Sequence, residues 1–256
     1  MPEELKISSI IIAKDEESNI KRCIESQLDV IDDIVVIVDS NTTDKTFEIS
    51  SSYEKVNCET AGWKGYAGSK NYAVSKTKHD WILWIDADEE ITDELKHELS
   101  QFKKNAPDKN AYSVARRAFF LGRWIKHSGW YPSRVLRLFN KNFAKFNDKE
   151  VHENLTVEGN TGELRYDLNH YTDPSIEHYF RKFNSYTSLA ARDLYKTGKT
   201  VSVNDILLRP LFIFFKMYIF KRGFLDGLHG FILAVFSSLY VFTKYAKLWE
   251  LNRSRK

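Results

Sequence analysis

Cysteine is nearly absent: the 256 residues contain two, Cys23 and Cys58, with no repeated spacing. That excludes a disulfide framework and a cysteine-based zinc site, and it fits a reducing compartment. The usual nucleotide loops are missing as well. No Gly-x-x-x-x-Gly-Lys-Ser/Thr occurs and no Gly-x-Gly-x-x-Gly follows the first apolar run, so ATP hydrolysis and dinucleotide redox chemistry lose their fingerprints. There is no internal repeat and no low-complexity segment. Nor does any uninterrupted apolar run reach the roughly 20 residues needed to span a bilayer: 207–220 is broken by Arg209, Pro210 and Lys216, and 230–242 is too short. The acidic start Met1-Pro-Glu-Glu and the short β-branched run after it are unlike a signal peptide, and the chain is expected to be unsecreted.

What is present is a globular composition, 43% hydrophobic and 29% charged, enough for one large domain or a domain with an appendage. The net charge of +3 is unevenly placed: from Val201 onward there are nine Lys/Arg against three Asp/Glu. That basic tail is also aromatic and apolar, which points to an anionic membrane surface rather than to nucleic acid. Lys216, Lys221, Arg222, Lys244 and Lys247 are placed to snorkel from interfacial helices towards headgroups. The plainer alternative is a helical pair packing on the domain or on a second subunit.

Residues 7–13 and 33–38 are β-branched runs, each followed by a polar turn and a helical pattern. With a weaker strand at 55–58, a helix over 68–75 and a strand at 81–85, they make a βαβαβαβ half of nucleotide-binding type. Thr43 or Asp44 can cap the second helix. Thr92 opens a further helix to about residue 103. Strands follow at 111–120 and 134–139, separated by the aromatic loop 121–133, and from Pro174 the chain turns helical.

Asp86 and Asp88 sit just past the strand at 81–85, where open α/β sheets bind ligands. In extended backbone, residues i and i+2 share a side, so both carboxylates can face one cation or one ribose. Asp39 ends the second strand in the same way and can accept from a base N–H or a ribose hydroxyl; Asp44 reads as a helix cap. The segment 62–73 carries three glycines and two lysines into a helix, which suits a phosphate, with Lys70 and Asn71 as contacts to a nucleotide or its diphosphate. His152, Glu153 and His170 are too far apart in sequence for a helical zinc motif, and a lone His is more often structural.

Ile12-Ala-Lys-Asp-Glu-Glu-Ser-Asn-Ile, Val38-Asp-Ser-Asn-Thr-Thr-Asp-Lys-Thr and Ile85-Asp-Ala-Asp-Glu occur in the order and spacing of glycosyltransferase family 2, which the chain resembles nearly end to end. Arg123-Trp, His127-Ser-Gly-Trp-Tyr-Pro, Arg137-Leu-Phe, Val151-His-Glu and Arg222-Gly-Phe-Leu-Asp-Gly look, more narrowly, like bacterial lipopolysaccharide-core β-glucosyltransferases. Asp15 stands where the family usually has Asn, and Asn41 where Gly is common. The Gln-x-x-Arg-Trp motif of processive synthases is missing, which favours addition of a single sugar.

The resemblance implies a GT-A fold: a Rossmann-like mixed α/β sheet flanked by helices, with a C-terminal helical, membrane-associating extension. It implies a catalytic domain over 1–173, with a nucleotide-binding half 1–104 and an acceptor half 105–173, and a basic, amphipathic helical region over 174–256. Glu16 and Asp39 would hold the uridine, with Lys70, Asn71, Asp86 and Trp130 as further substrate contacts. Asp88 and His170, with Asp86 as a possible third, would serve Mg²⁺ or Mn²⁺. Glu153 would be the catalytic base, with Asp148 as runner-up, while His152 keeps a structural reading. The implied partners are a UDP-sugar donor, a lipid-linked saccharide acceptor and the cytoplasmic face of the inner membrane, with an oligomer possible. The implied reaction is inverting transfer of one hexose, glucose by the resemblance, to the lipopolysaccharide inner core. Capsule or another cell-surface polysaccharide is the alternative acceptor. A sugar nucleotidyltransferase fits less well, since Lys14-Asp-Glu-Glu replaces the Gly-rich loop it would need after the first strand.

Overall fold

A computed structural model describes residues 4–147 and 155–254. The chain divides into two compact units, Met1–Arg116 with Ser133–His170, and Arg117–Pro132 with Tyr171–Lys256. This differs from the expected cut at 173–174: the segment Arg117–Pro132 groups with the C-terminal helices and not with an acceptor half.

The first unit opens with the anticipated alternation: β1 (Ile7–Ala13), α1 (Ile20–Glu25), β2 (Asp33–Asp39), α2 (Thr46–Ser51), β3 (Val56–Ala61), α3 (Gly65–Ser75) and β4 (Trp81–Trp84). These strands run parallel in the order β3-β2-β1-β4. β1 and β2 are buried almost throughout, as parallel strands covered on both faces must be. Their alternation divides the core. Ile11, Val36 and Leu83 enter one cluster, and their chain neighbours Ile10, Val35 and Ile82 enter the other, because successive side chains leave opposite faces.

Beyond β4 come β5 (Glu89–Ile91), α4 (Asp93–Lys104), β6 (Ala111–Phe120), β7 (Arg123–Trp124), β8 (Ser133–Asn140), β9 (Ala144–Phe146), β10 (Leu155–Val157) and β11 (Thr161–Asp173). Thr92 caps α4 by accepting from the Leu95 N–H at 3.3 Å, while Leu95 and Leu99 face inward. β8 lies antiparallel beside β4, and the sheet continues β8-β6-β11-β5, so it is mixed, as expected. β9 and β10 form a separate antiparallel pair.

In the second unit, α5 (Ile176–Lys196), α6 (Val203–Phe215) and α7 (Gly227–Arg253) follow one another, with a π-helical turn Lys216–Phe220 and a 3₁₀ turn Gly223–Asp226 before α7. Ser202 and Asp205 form a complete capping box at the start of α6. α7 corrects the expectation of a short apolar stretch ending near residue 242. The helical segment Gly223–Arg253 has 31 residues and is long and apolar enough, by length and composition, to cross a membrane. Lys247 is corrected too: its Nζ is held by the Asn184 carbonyl and the Thr187 and Ser188 hydroxyls at 2.8–3.0 Å, so it does not snorkel. Lys244 is half-buried, and burial holds its pKa below the usual lysine range. Lys216, Lys221 and Arg222 are exposed.

Candidate active site

The C-terminal ends of β1, β2 and β4 share one edge of the parallel sheet, since Ala13 pairs with Val38 and Ile10 with Trp84. This edge carries Lys14 and Glu16 after β1, Asp39 at the end of β2, and Asp86 and Asp88 after β4. The loops are stitched together. Asp15, in left-handed backbone at φ 52°, accepts from the Thr43 N–H at 2.8 Å. The Glu16 N–H donates to Thr46 Oγ1 at 2.8 Å, and the Glu16 carboxylate accepts from Asn19 at 2.8 Å. Asp44 accepts from the Thr46 N–H at 2.9 Å, but the residue at the N-cap of α2 is Lys45, whose side chain makes no capping bond, so neither Thr43 nor Asp44 is the cap of that helix. Asp39 accepts from the backbone and side-chain N–H groups of Asn41, with Lys14 Nζ at 3.9 Å. Those bonds hold its carboxyl below the usual range.

Asp86 and Asp88 do not lie in extended backbone. The Glu89 N–H donates to the Asp86 carbonyl at 2.9 Å and closes a turn, so the i, i+2 alternation does not apply and the two carboxylates find different partners. Asp86 Oδ2 receives Arg137 Nη2 at 2.6 Å. Asp88 Oδ2 lies 3.4 Å from His170 Nε2, which β11 delivers from 82 positions along the chain. Burial tends to raise the Asp86 pKa, but Arg137, Lys70 and His170 outweigh it and bring it down to about 2.

Two residues given no role at first complete the cluster. Arg137, from β8, is fully buried, and Nη2 also contacts Glu89, which is itself fully buried. Glu89 in turn accepts from the Asp86 N–H at 3.0 Å, and burial raises its pKa despite Arg137. A charged residue at the centre of the apolar strand Ser-Arg-Val-Leu-Arg-Leu-Phe was the available signal, because a buried guanidinium requires a carboxylate. Trp84 carries both nearby cations, with Arg137 Cζ 4.0 Å and Lys70 Nζ 3.5 Å from its ring centre.

Lys70 is therefore buried on Trp84, where it acts on Asp86 through charge. The Asn71 amide is engaged at both ends by the Phe146 backbone, at 2.9 and 3.2 Å; contact with a nucleotide would cost those bonds. Trp130 lies in the second unit and packs against Phe120. Glu153, Asp148 and His152 lie outside the described residues.

Among the described residues no group of three or more His, Cys, Asp or Glu is arranged to hold a metal ion. The Asp88–His170 pair nevertheless fits the protein's share of a divalent site, because such ions in phosphate-handling enzymes take one or two protein ligands and complete their shell with phosphate oxygens and water.

The sequence model described as Glycosyl transferase family 2 matches residues 8–166, the span holding every site residue above except His170. The chain belongs to glycosyl transferase family 2. An uncharacterized glycosyltransferase of Rickettsia typhi is 34% identical over 260 residues, covering 96% of this chain and 88% of that protein. The lipopolysaccharide core biosynthesis glycosyltransferase LpsC of Rhizobium meliloti is 30% identical over 254 residues, covering 96% and 93%. Among solved structures, the mannosyltransferase PcManGT from Pyrobaculum calidifontis, in complex with GDP-Man and Mn²⁺, aligns with a TM-score of 0.55 at 12% identity, covering 96% of this chain and 88% of that one. The GT-A fold and glycosyltransferase activity follow from membership of the family, and the relatives place this member near lipopolysaccharide-core enzymes.

Proposed function

We propose that this family 2 member transfers a single hexose, glucose, from a UDP-sugar to a lipopolysaccharide inner-core acceptor, with inversion at the anomeric carbon. The observation that carries the reading is the meeting of Asp88 and His170 at the carboxyl edge of the parallel strands. A carboxylate and an imidazole placed there would hold a divalent ion, which would supply positive charge to the diphosphate of a sugar nucleotide. Mg²⁺ or Mn²⁺ would supply positive charge against the charge that develops on the departing diphosphate. PcManGT, with GDP-Man and Mn²⁺ bound, supports this choice.

The other residues divide the remaining work. Asp39, kept ionised by Asn41, and Glu16 accept hydrogen bonds from the uridine. Arg137 occupies one oxygen of Asp86 and fixes that carboxylate, leaving the other oxygen for the ribose. Glu153 takes the proton of the attacking acceptor hydroxyl as the new glycosidic bond forms and the bond to the diphosphate breaks. LpsC, at 30% identity over nearly the whole chain, supports the core-saccharide acceptor. Membrane association on the cytoplasmic side suits a lipid-borne acceptor. It is supported by large apolar side chains turned outward along α6 and the turn after it, Phe220 being 73% exposed, beside the exposed Lys216, Lys221 and Arg222.

The test is a screen of UDP-glucose, UDP-galactose and UDP-N-acetylhexosamines with manganese and detergent-solubilised truncated core. The expected result is transfer from UDP-glucose giving a β-linked product. An α-linked product would overturn inversion, and preference for another donor would overturn glucose.

A further inference from the structure

In the second unit, one face of the β6–β7 ribbon gathers aromatic rings and cations that the reaction chemistry above does not use. Phe119 pairs across the ladder with Trp124, so both project to the same face, and Arg117 joins them two residues back along β6. Tyr171 stacks on Phe119 with ring centres 4.9 Å apart, and Tyr131 meets Trp124 edge-on at 5.3 Å. Arg117 Cζ and Lys126 Nζ lie 5.2 and 4.7 Å from the centre of the Trp124 ring. The four rings are only partly buried, and Lys126 is exposed.

Two features suit this face to an anion. The segment Arg117–Pro132 contains no Asp or Glu, and Lys126 forms no ion pair among the described residues; the π face of Trp124 holds it instead. For Lys126 such contact orients the ammonium group and leaves its charge uncancelled. The backbone beneath is also fixed in advance. Asp226, 3% exposed, accepts from the N–H groups of Lys126 and His127 at 3.2 and 2.9 Å and contacts His127 Nδ1 at 3.0 Å. The nearby carboxylate is thereby committed to holding the loop. The Trp124 indole N–H is buried with no acceptor among the described residues.

We propose that this platform binds the acceptor, and that the acceptor sugar there is acidic, bearing a carboxylate or a phosphate. The rings take the apolar C–H faces of the sugar, and Lys126 takes its anionic group. This rests on the glycosyl-transfer reading above and adds the chemical class of the acceptor.

The experiment is isothermal titration of the full chain with glucuronate, glucose 6-phosphate, methyl glucoside and inorganic phosphate. One or both acidic sugars should bind about tenfold or more tightly than methyl glucoside. In Lys126→Gln that preference should fall to within about twofold, with Lys126→Arg restoring it. Equal binding of neutral and acidic sugars would overturn the proposal, as would inorganic phosphate binding as tightly as glucose 6-phosphate. A Lys126→Gln chain that keeps the sugar preference and loses binding only to phosphatidylglycerol vesicles would assign the cation to a lipid surface and overturn it too. Consumption of UDP-glucose by the unaltered chain is followed in parallel. Turnover without acid preference sinks this inference alone, whereas failure to consume any sugar nucleotide sinks the transfer reading on which it rests.

Discussion

Arg137 holds two carboxylates from a fully buried position, and the consequence of removing it is set by what remains. Arg137→Met fills the space but leaves Glu89, also fully buried, with its main counter-charge gone. Breaking a buried pair in this way costs about 3–5 kcal/mol. Urea denaturation should register that loss, and a variant within about 1 kcal/mol of the native chain would show that Arg137 is not the counter-charge the site depends on. Glu153→Gln belongs to a different class. It should retain donor binding and lose transfer by about 10²-fold or more, measured as single-turnover product formation; near-normal transfer moves the base to another residue. At this scale the sequence was partly legible. Asp39, Asp86 and Asp88 stood out because carboxylates end apolar β-branched runs, and the family resemblance picked out His170. Glu89 was hidden because it merely continues an acidic string, and Arg137 because its partners lie 48 and 51 positions away.

Among the elements, β1, β2 and β4 were readable from short apolar runs, rich in β-branched residues in β1 and β2 and each followed by a polar turn, which is the pattern of strands covered on both faces. β11 was not, since Thr-Gly-Glu-Leu-Arg-Tyr-Asp-Leu-Asn-His-Tyr-Thr-Asp mixes charge through 13 residues and buries few of them. Its pairing with β6 and β5, not its own pattern, makes it a strand. α7 runs past the apolar stretch 230–242, and Lys247 within the helix is absorbed by hydroxyls and a carbonyl of α5. The entry to α7 depends on Gly230, where an added Cβ would lie 1.9 Å from the Gly223 carbonyl oxygen. Alanine in a helix gains about 1 kcal/mol over glycine, but overpacking against a backbone atom costs about 1–3 kcal/mol. The clash wins at this separation. Gly230→Ala should lower the thermal midpoint, and an unchanged or raised midpoint would contradict the packing described here.

For the whole molecule, the sum of charges and the apolar surface point to one behaviour. The chain carries +3, and the excess is concentrated after Val201. Cosedimentation with vesicles containing phosphatidylglycerol should therefore exceed that with phosphatidylcholine and weaken as salt rises. Phe212→Asp with Phe215→Asp, both on the exposed face of α6, should reduce it further; equal binding to neutral and anionic vesicles would remove the electrostatic part of the argument. Family and fold were legible at this scale because strand-end motifs recur in fixed order. The grouping of Arg117–Pro132 with the helices was not, since it depends on contacts such as Asp226 with His127, 99 positions apart. In the function proposed above, Asp88 with His170 would hold a divalent ion against the sugar-nucleotide diphosphate. The most direct test of that role is calorimetric titration of UDP into the native chain and into Asp88→Ala, each with manganese and with chelator. Manganese should tighten UDP binding to the native chain about tenfold or more and do little for Asp88→Ala; binding to the native chain that ignores manganese, or an undiminished manganese effect in Asp88→Ala, would contradict it.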